Sequence, residues 1–164
     1  MKTFLGLILS CLSFAVCAQG SGIKVTATGV EIKGGRHNLK MQVWNCTAHE
    51  LEVPLLDLPW AGNTLGIVLY PAGKIRSTPL KELYTIADFP SVTIKIKPNG
   101  HIDGEAQLEP RFGDLSRYDT HGGLLVFWSY DMSWITGGDP TFAVGVVPLG
   151  KTKLIKSSQK AGCR

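Results

Sequence analysis

Apolar and polar side chains alternate with a period of two along much of the chain, the pattern of strands with one buried face. The clearest stretch sets Val92, Ile94 and Ile96 against Thr93, Lys95 and Lys97. A second sets Ile102, Gly104, Ala106 and Leu108 against His101, Asp103, Glu105, Gln107 and Glu109. Pro98-Asn99-Gly100 between them supplies the residues of a tight reversal, so the pattern predicts a hairpin. In its register Lys97 faces His101, Lys95 faces Asp103 and Thr93 faces Glu105 on the solvated side, with Ile96 opposite Ile102 inside.

Upstream, Ile23, Val25 and Ala27 share one phase and Val30 and Ile32 the other, and this change of parity across Gly29 predicts a bulge or bend. Leu39, Met41 and Val43 predict a strand after the Gly34-Gly35 turn, and Leu51, Val53 and Leu55 a further short one. Leu65 to Tyr70 and Leu124 to Tyr130 are apolar on both parities, as expected of central strands covered on both sides. Phe142, Val144 and Val146 mark the last strand, limited by Pro148. One helix is a candidate, Pro79 to Asp88, where Leu80, Leu83, Tyr84 and Ala87 fall at helical spacing behind a proline suited to a first turn. Seven or eight short strands separated by Gly, Pro and Asn predict an all-β fold, a single antiparallel sandwich.

The first residues break this pattern. Lys2 precedes an apolar run from Phe4 to Val16, and Val16-Cys17-Ala18 offers small side chains at a cleavage site, so residues 1–18 read as a signal peptide removed before Gln19. The run is shorter than the roughly 20 apolar residues of a membrane span, and Ser10 and Ser13 interrupt it. Acylation of Cys17 would make a lipoprotein instead, but Val16 stands where that motif calls for Gly or Ala. Export of this bacterial type places the protein in the periplasm, leaving residues 19–150 as one domain and 151–164 as a tail. In that oxidising compartment Cys46 and Cys163, the two cysteines left after cleavage, are expected to form a disulfide. Closing so long a loop stabilises a fold by about 4–5 kcal/mol in a chain-entropy treatment. Asn45-Cys46-Thr47 matches a glycosylation sequon, a three-residue pattern that recurs by chance.

Charge adds one local feature. The chain carries 17 basic and 13 acidic side chains, but Lys151, Lys153, Lys156, Lys160 and Arg164 crowd the tail without an acid, so residues 19–150 hold 11 bases against 13 acids. The tail lacks the aromatic side chains that stack on bases, and no nucleic-acid partner is expected.

Val43-Trp44-Asn45-Cys46-Thr47, the Asn99-Gly100 reversal, Leu108 to Phe112 and Phe127-Trp128-Ser129-Tyr130 together resemble small exported bacterial immunoglobulin-like proteins. The layout is also similar to Ig-like proteinase-inhibitor domains. The resemblance covers most of the mature chain and implies an immunoglobulin-like sandwich. It departs from the antibody arrangement of one cysteine on each of two facing strands, because Cys163 lies in the tail. Such a fold implies no function by itself.

No nucleophile elbow, zinc-protease, phosphate-loop or Cys-x-x-Cys motif is present in the sequence. His101 and Asp103 stand two apart on one strand face, a spacing open to a metal, but the lysines expected opposite would repel a cation. Neither metal nor cofactor is expected. Tyr118-Asp119-Thr120-His121 and His49-Glu50 read as polar loop residues, and Cys46 reads as half of a disulfide before it reads as a nucleophile. What remains is apolar: the proline-bracketed Pro54-Leu55-Leu56-Asp57-Leu58-Pro59-Trp60, and Asp131-Met132-Ser133-Trp134-Ile135-Thr136-Gly137 between the last two strands. Either Trp60 and Trp134 fold back over the ends of the sandwich, or Leu56, Leu58, Trp60, Met132 and Trp134 form a partner site. The two tryptophans share an end if Leu51 to Leu55 is a loop, and take opposite ends if it is a full strand. The expected function is a non-catalytic module binding another periplasmic or secreted protein, of the inhibitor or immunity type, without stable membrane insertion. The alternative is a carbohydrate or cell-wall glycan binder that stacks sugars on the same aromatics.

Overall fold

Eight strands in three antiparallel sheets build the protein in a computed structural model that describes residues 22–61, 64–72, 78–83, 91–120, 122–150 and 162–163. Residues 1–18, expected to be a signal peptide, and all of the basic tail except Gly162 and Cys163 lie outside these residues, as does His121. No helix among the described residues is long and apolar enough to cross a membrane.

The first sheet runs β1 (Ile23–Lys33), β2 (Arg36–Asn45), β6 (His101–Gln107). Gly34 and Gly35 link β1 to β2 with φ of 58° and 74°, the left-handed backbone of a two-residue hairpin turn. The β1–β2 register shifts between Ala27 and Gly29, where the parity of the sequence changes. The inward row of β2 is His37, Leu39, Met41, Val43 and Asn45, all essentially inaccessible to solvent. A second sheet pairs β3 (Leu51–Pro54) with β5 (Thr93–Ile96), and the third runs β4 (Leu65–Pro71), β7 (Leu124–Asp131), β8 (Phe142–Leu149). The inward rows of all three sheets meet in one core, with Leu39, Val43, Val53, Leu65, Leu69, Ile96, Val126 and Tyr130 among its members.

Two glycines make room for tryptophans. A Cβ on Gly104 would lie 2.0 Å from the Trp60 ring, and one on Gly145 would lie 2.7 Å from Trp128 Nε1. Trp60 therefore folds against the middle of β6, and Trp128 covers its β8 neighbour Gly145.

Three expectations change. The hairpin between 92–97 and 101–109 does not form, because β5 pairs with β3 and β6 with β2. Its turn exists, closed by Gly100 N–H donating to Lys97 O at 2.9 Å with Asn99 at φ 55°. Asn45 holds that turn open as a corner between sheets: its Nδ2 donates to Ile96 O at 2.9 Å and its main-chain N–H to Gly100 O at 2.9 Å. Lys95 consequently faces Glu52, and Asp103 faces Gln42. The runs at β4 and β7 are not covered on both sides, since each buries one parity only. Finally, residues 79–83 of the expected Pro79–Asp88 helix are not helical, and 84–88 lie outside the described residues. Leu80 N–H donates to Leu69 O and Leu83 N–H to Arg111 O, so this stretch hydrogen-bonds outward to its neighbours.

Candidate functional site

The outer faces of the two three-stranded sheets differ in chemistry. On the β1-β2-β6 sheet, Lys40 pairs with Glu31 at 3.2 Å and with Glu105, and Gln42 Nε2 donates to Asp103 Oδ1 at 2.9 Å. The hydrogen bonds to Glu105 and Glu31 raise the Lys40 pKa, and the same lysine lowers that of Glu105. Trp44 and His101 stack across the strands with ring centroids 4.2 Å apart. On the small sheet, Lys95 reaches Glu52 at 2.8 Å and Glu50 at 3.2 Å. On these surfaces the exposed charges named pair with one another.

The β4-β7-β8 sheet shows the opposite. Its register lines up Val68, Phe127 and Val146 in one outward row, Tyr70, Leu125 and Pro148 in the next, and Gly66, Ser129 and Val144 in a third. Phe142 is 60% exposed, Val144 62%, and Val68 and Val146 42% each. Tyr70 and Phe127 meet edge to face at 5.6 Å. Asp131, paired with Phe142 beyond these rows at the rim, is the one charged residue on the outward side of the three strands. Its Oδ1 accepts from Ser133 N at 3.0 Å and Thr141 N at 3.1 Å, and the Ser133 hydrogen bond foremost holds its carboxyl below the usual range. An apolar face of this extent is uncommon on a surface that meets only water.

The five residues expected at a partner site separate. Leu58 is fully buried and Met132 nearly so, and Trp60 is half-buried against Gly104. These three supply packing, which corrects the expectation that the whole set forms one surface. The physical reason lies in the connection at Leu55–Asp57, which turns as a 3-10 helix after β3 and brings Asp57 O to the Tyr130 hydroxyl. Burial raises the Tyr130 pKa far above that of a free phenol, so it stays a donor there. Leu56 is exposed, and Trp134 is 56% exposed on the helical turn α3 (Ser133–Thr136). In the register of the third sheet, β4 begins beside the end of β7, where α3 follows and β8 starts, so Trp134 and Phe142 adjoin the same edge of the apolar face. The Leu51–Pro54 strand does not send Trp60 to an opposite end: the ring lies over the middle of β6 instead.

Cys46 is bonded to Cys163 with their Cα atoms 5.3 Å apart, as the cysteine count predicts, and Lys24 Nζ donates to Gly162 O at 2.8 Å. Asn45 of the sequon-like triplet is fully buried, its Nδ2 donating to His49 O at 2.7 Å and its Oδ1 accepting from Thr47 N at 3.0 Å. His101 Nε2 and Asp103 Oδ2 sit 3.5 Å apart, and among the described residues no three His, Cys, Asp or Glu side chains are placed to hold a metal ion.

One cluster escaped the sequence reading. His37 is completely buried, with Nδ1 2.5 Å from Glu109 Oε1 and Nε2 2.8 Å from Asp119 Oδ1. Glu109 opens the helical turn α1 (Glu109–Phe112), and Asp119 belongs to α2 (Arg117–Thr120), not to a loop as expected. The signal for His37 was present, since it shares the parity of Leu39, Met41 and Val43. Its partners, 72 and 82 residues away, had none. Compared with known proteins, the chain matches no family model, no curated protein and no solved structure.

Proposed function

We propose that this is an exported, non-catalytic immunoglobulin-like β-sandwich module that binds another periplasmic or secreted protein through the outer face of the β4-β7-β8 sheet, with Trp134 as a rim anchor. The observation that carries the reading is the outward row Val68, Phe127 and Val146 with its neighbours Val144 and Phe142, apolar side chains left in water on a rigid sheet. Protein interfaces place aromatic anchors and desolvated apolar centres in this way. The polar face of the β1-β2-β6 sheet gives the contrast, because its charges already satisfy one another. A disulfide between Cys46 and Cys163 suits the oxidising compartment that a leader implies. Inhibition, or immunity against a toxin, is the kind of role that such a stapled, preorganised surface serves. The glycan reading keeps only Trp134 as a stacking platform, since Trp60 is engaged with Gly104.

Affinity capture from periplasmic extract tests the proposal, with the intact protein compared with Val144→Glu/Val146→Glu and with Trp134→Ala. All three are expected to fold, and the two variants to lose a protein that the intact chain retains. An identical set of captured proteins from all three contradicts the proposal, and retention on purified peptidoglycan in place of protein favours the glycan binder.

A further inference from the structure

Both ring nitrogens of His37 face carboxylate oxygens, and Glu109 Oε1 also accepts the main-chain N–H of His37 at 2.8 Å. A neutral imidazole has one N–H and one lone pair, so it would satisfy one carboxylate and turn a lone pair toward the other. The imidazolium alone donates to both. The two carboxylates belong to consecutive helical turns in the connection that leads from β6 to β7, and Leu108 N–H adds a bond to His37 O at 2.9 Å. One buried ring thus ties the 109–120 connection to the start of β2.

We propose that His37 is held as an imidazolium that latches the 109–120 connection onto β2, and that its deprotonation on the alkaline side opens the latch. The carboxylates facing it are Glu109 from α1 and Asp119 from α2; Asp114, in the link between those turns, has its carboxyl lowered chiefly by Ser116 and in smaller part by the charges of Arg117 and His37. Arg36 beside it on β2 is exposed, and Arg117 on α2 lies 4.8 Å over the Tyr118 ring. Burial opposes the charge on His37, but hydrogen bonds to Asp119 and Glu109 outweigh it and raise the pKa above 6.5. A group raised in this way stabilises the fold fully below its ordinary pKa and loses that contribution as pH rises through the folded one. Opening is therefore an alkaline event, and acid leaves the histidine's share intact. The latch stands independently of the proposed binding face.

Nitrogen-15 NMR of the His37 ring over a pH titration, with amide exchange of 109–120 followed in parallel, tests the proposal. At about pH 6.5, where an ordinary histidine is half protonated, His37 is expected to be predominantly imidazolium. Protection of 109–120 is expected to fall by about tenfold across its titration, beyond the change in strands β4 and β7. Asp119→Asn should move the midpoint down, and His37→Gln should remove the step in protection. If His37→Gln does not fold, the intact protein and Asp119→Asn still decide. A neutral ring at that pH, with the proton on a carboxyl instead, overturns the proposal, as does protection that stays constant through the titration.

Discussion

Asn45 and His37 close the two ends of one inward row, and each does with a polar side chain what an apolar one could not. Asn45 accepts from Thr47 and donates to the carbonyls of His49 and Ile96, fixing both the turn after β2 and the corner before β6. Asn45→Ala leaves those buried groups unpaired and is expected to cost about 1–3 kcal/mol in urea unfolding. Trp134→Ala, on an exposed turn, is expected to change stability by no more than about 0.5 kcal/mol in the same assay. Gly104→Ala should resemble the first: its Cβ collides with the Trp60 ring, an overpacking expected to cost about 1–3 kcal/mol. The parity of His37 and Asn45 with Leu39, Met41 and Val43 was readable along the chain. That both are buried and bonded was not, because the carboxylates on His37 and the Ile96 carbonyl on Asn45 come from segments distant in sequence.

At the scale of elements, the alternation located strands well and their partners poorly. The Gly29 bulge and the strands at 39–43 and 142–146 follow from side-chain period, the strands at 65–70 and 124–130 from continuous apolar runs, and the Gly34-Gly35 turn from its glycines. Period is a local property, whereas pairing depends on what closes the turn. At Asn99-Gly100 the reversal is real, but Asn45 takes the carbonyls around it and turns a hairpin into a corner. The test is direct: Glu52→Cys/Lys95→Cys should form a cross-strand disulfide detectable by mass spectrometry, and Lys95→Cys/Asp103→Cys should not. The apolar runs misled for a related reason. Side chains of both parities in β4 and β7 suggested cover on two sides, yet one side remains open, and Val144 and Val146 belong to that open side, while Gly145 and Val147 face inward. Burial and a binding face leave the same mark in a sequence.

For the whole molecule, the two consequences are a stapled body and a divided surface. The Cys46–Cys163 bond spans 117 residues, so Cys46→Ser/Cys163→Ser is expected to lower unfolding free energy by about 4–5 kcal/mol, measured by urea denaturation. The divided surface sets ion pairs on the β1-β2-β6 sheet against exposed valines and Phe142 on the β4-β7-β8 sheet. The interaction loops that the sequence suggested became mostly packing, and the proposed binding face looked like core. Hydrogen exchange of the protein alone and with its captured partner tests that assignment most directly. Binding through the apolar sheet brings new protection over 66–70, 125–129 and 142–147 with none over 40–44 and 101–107; protection confined to the polar sheet would rule that binding face out.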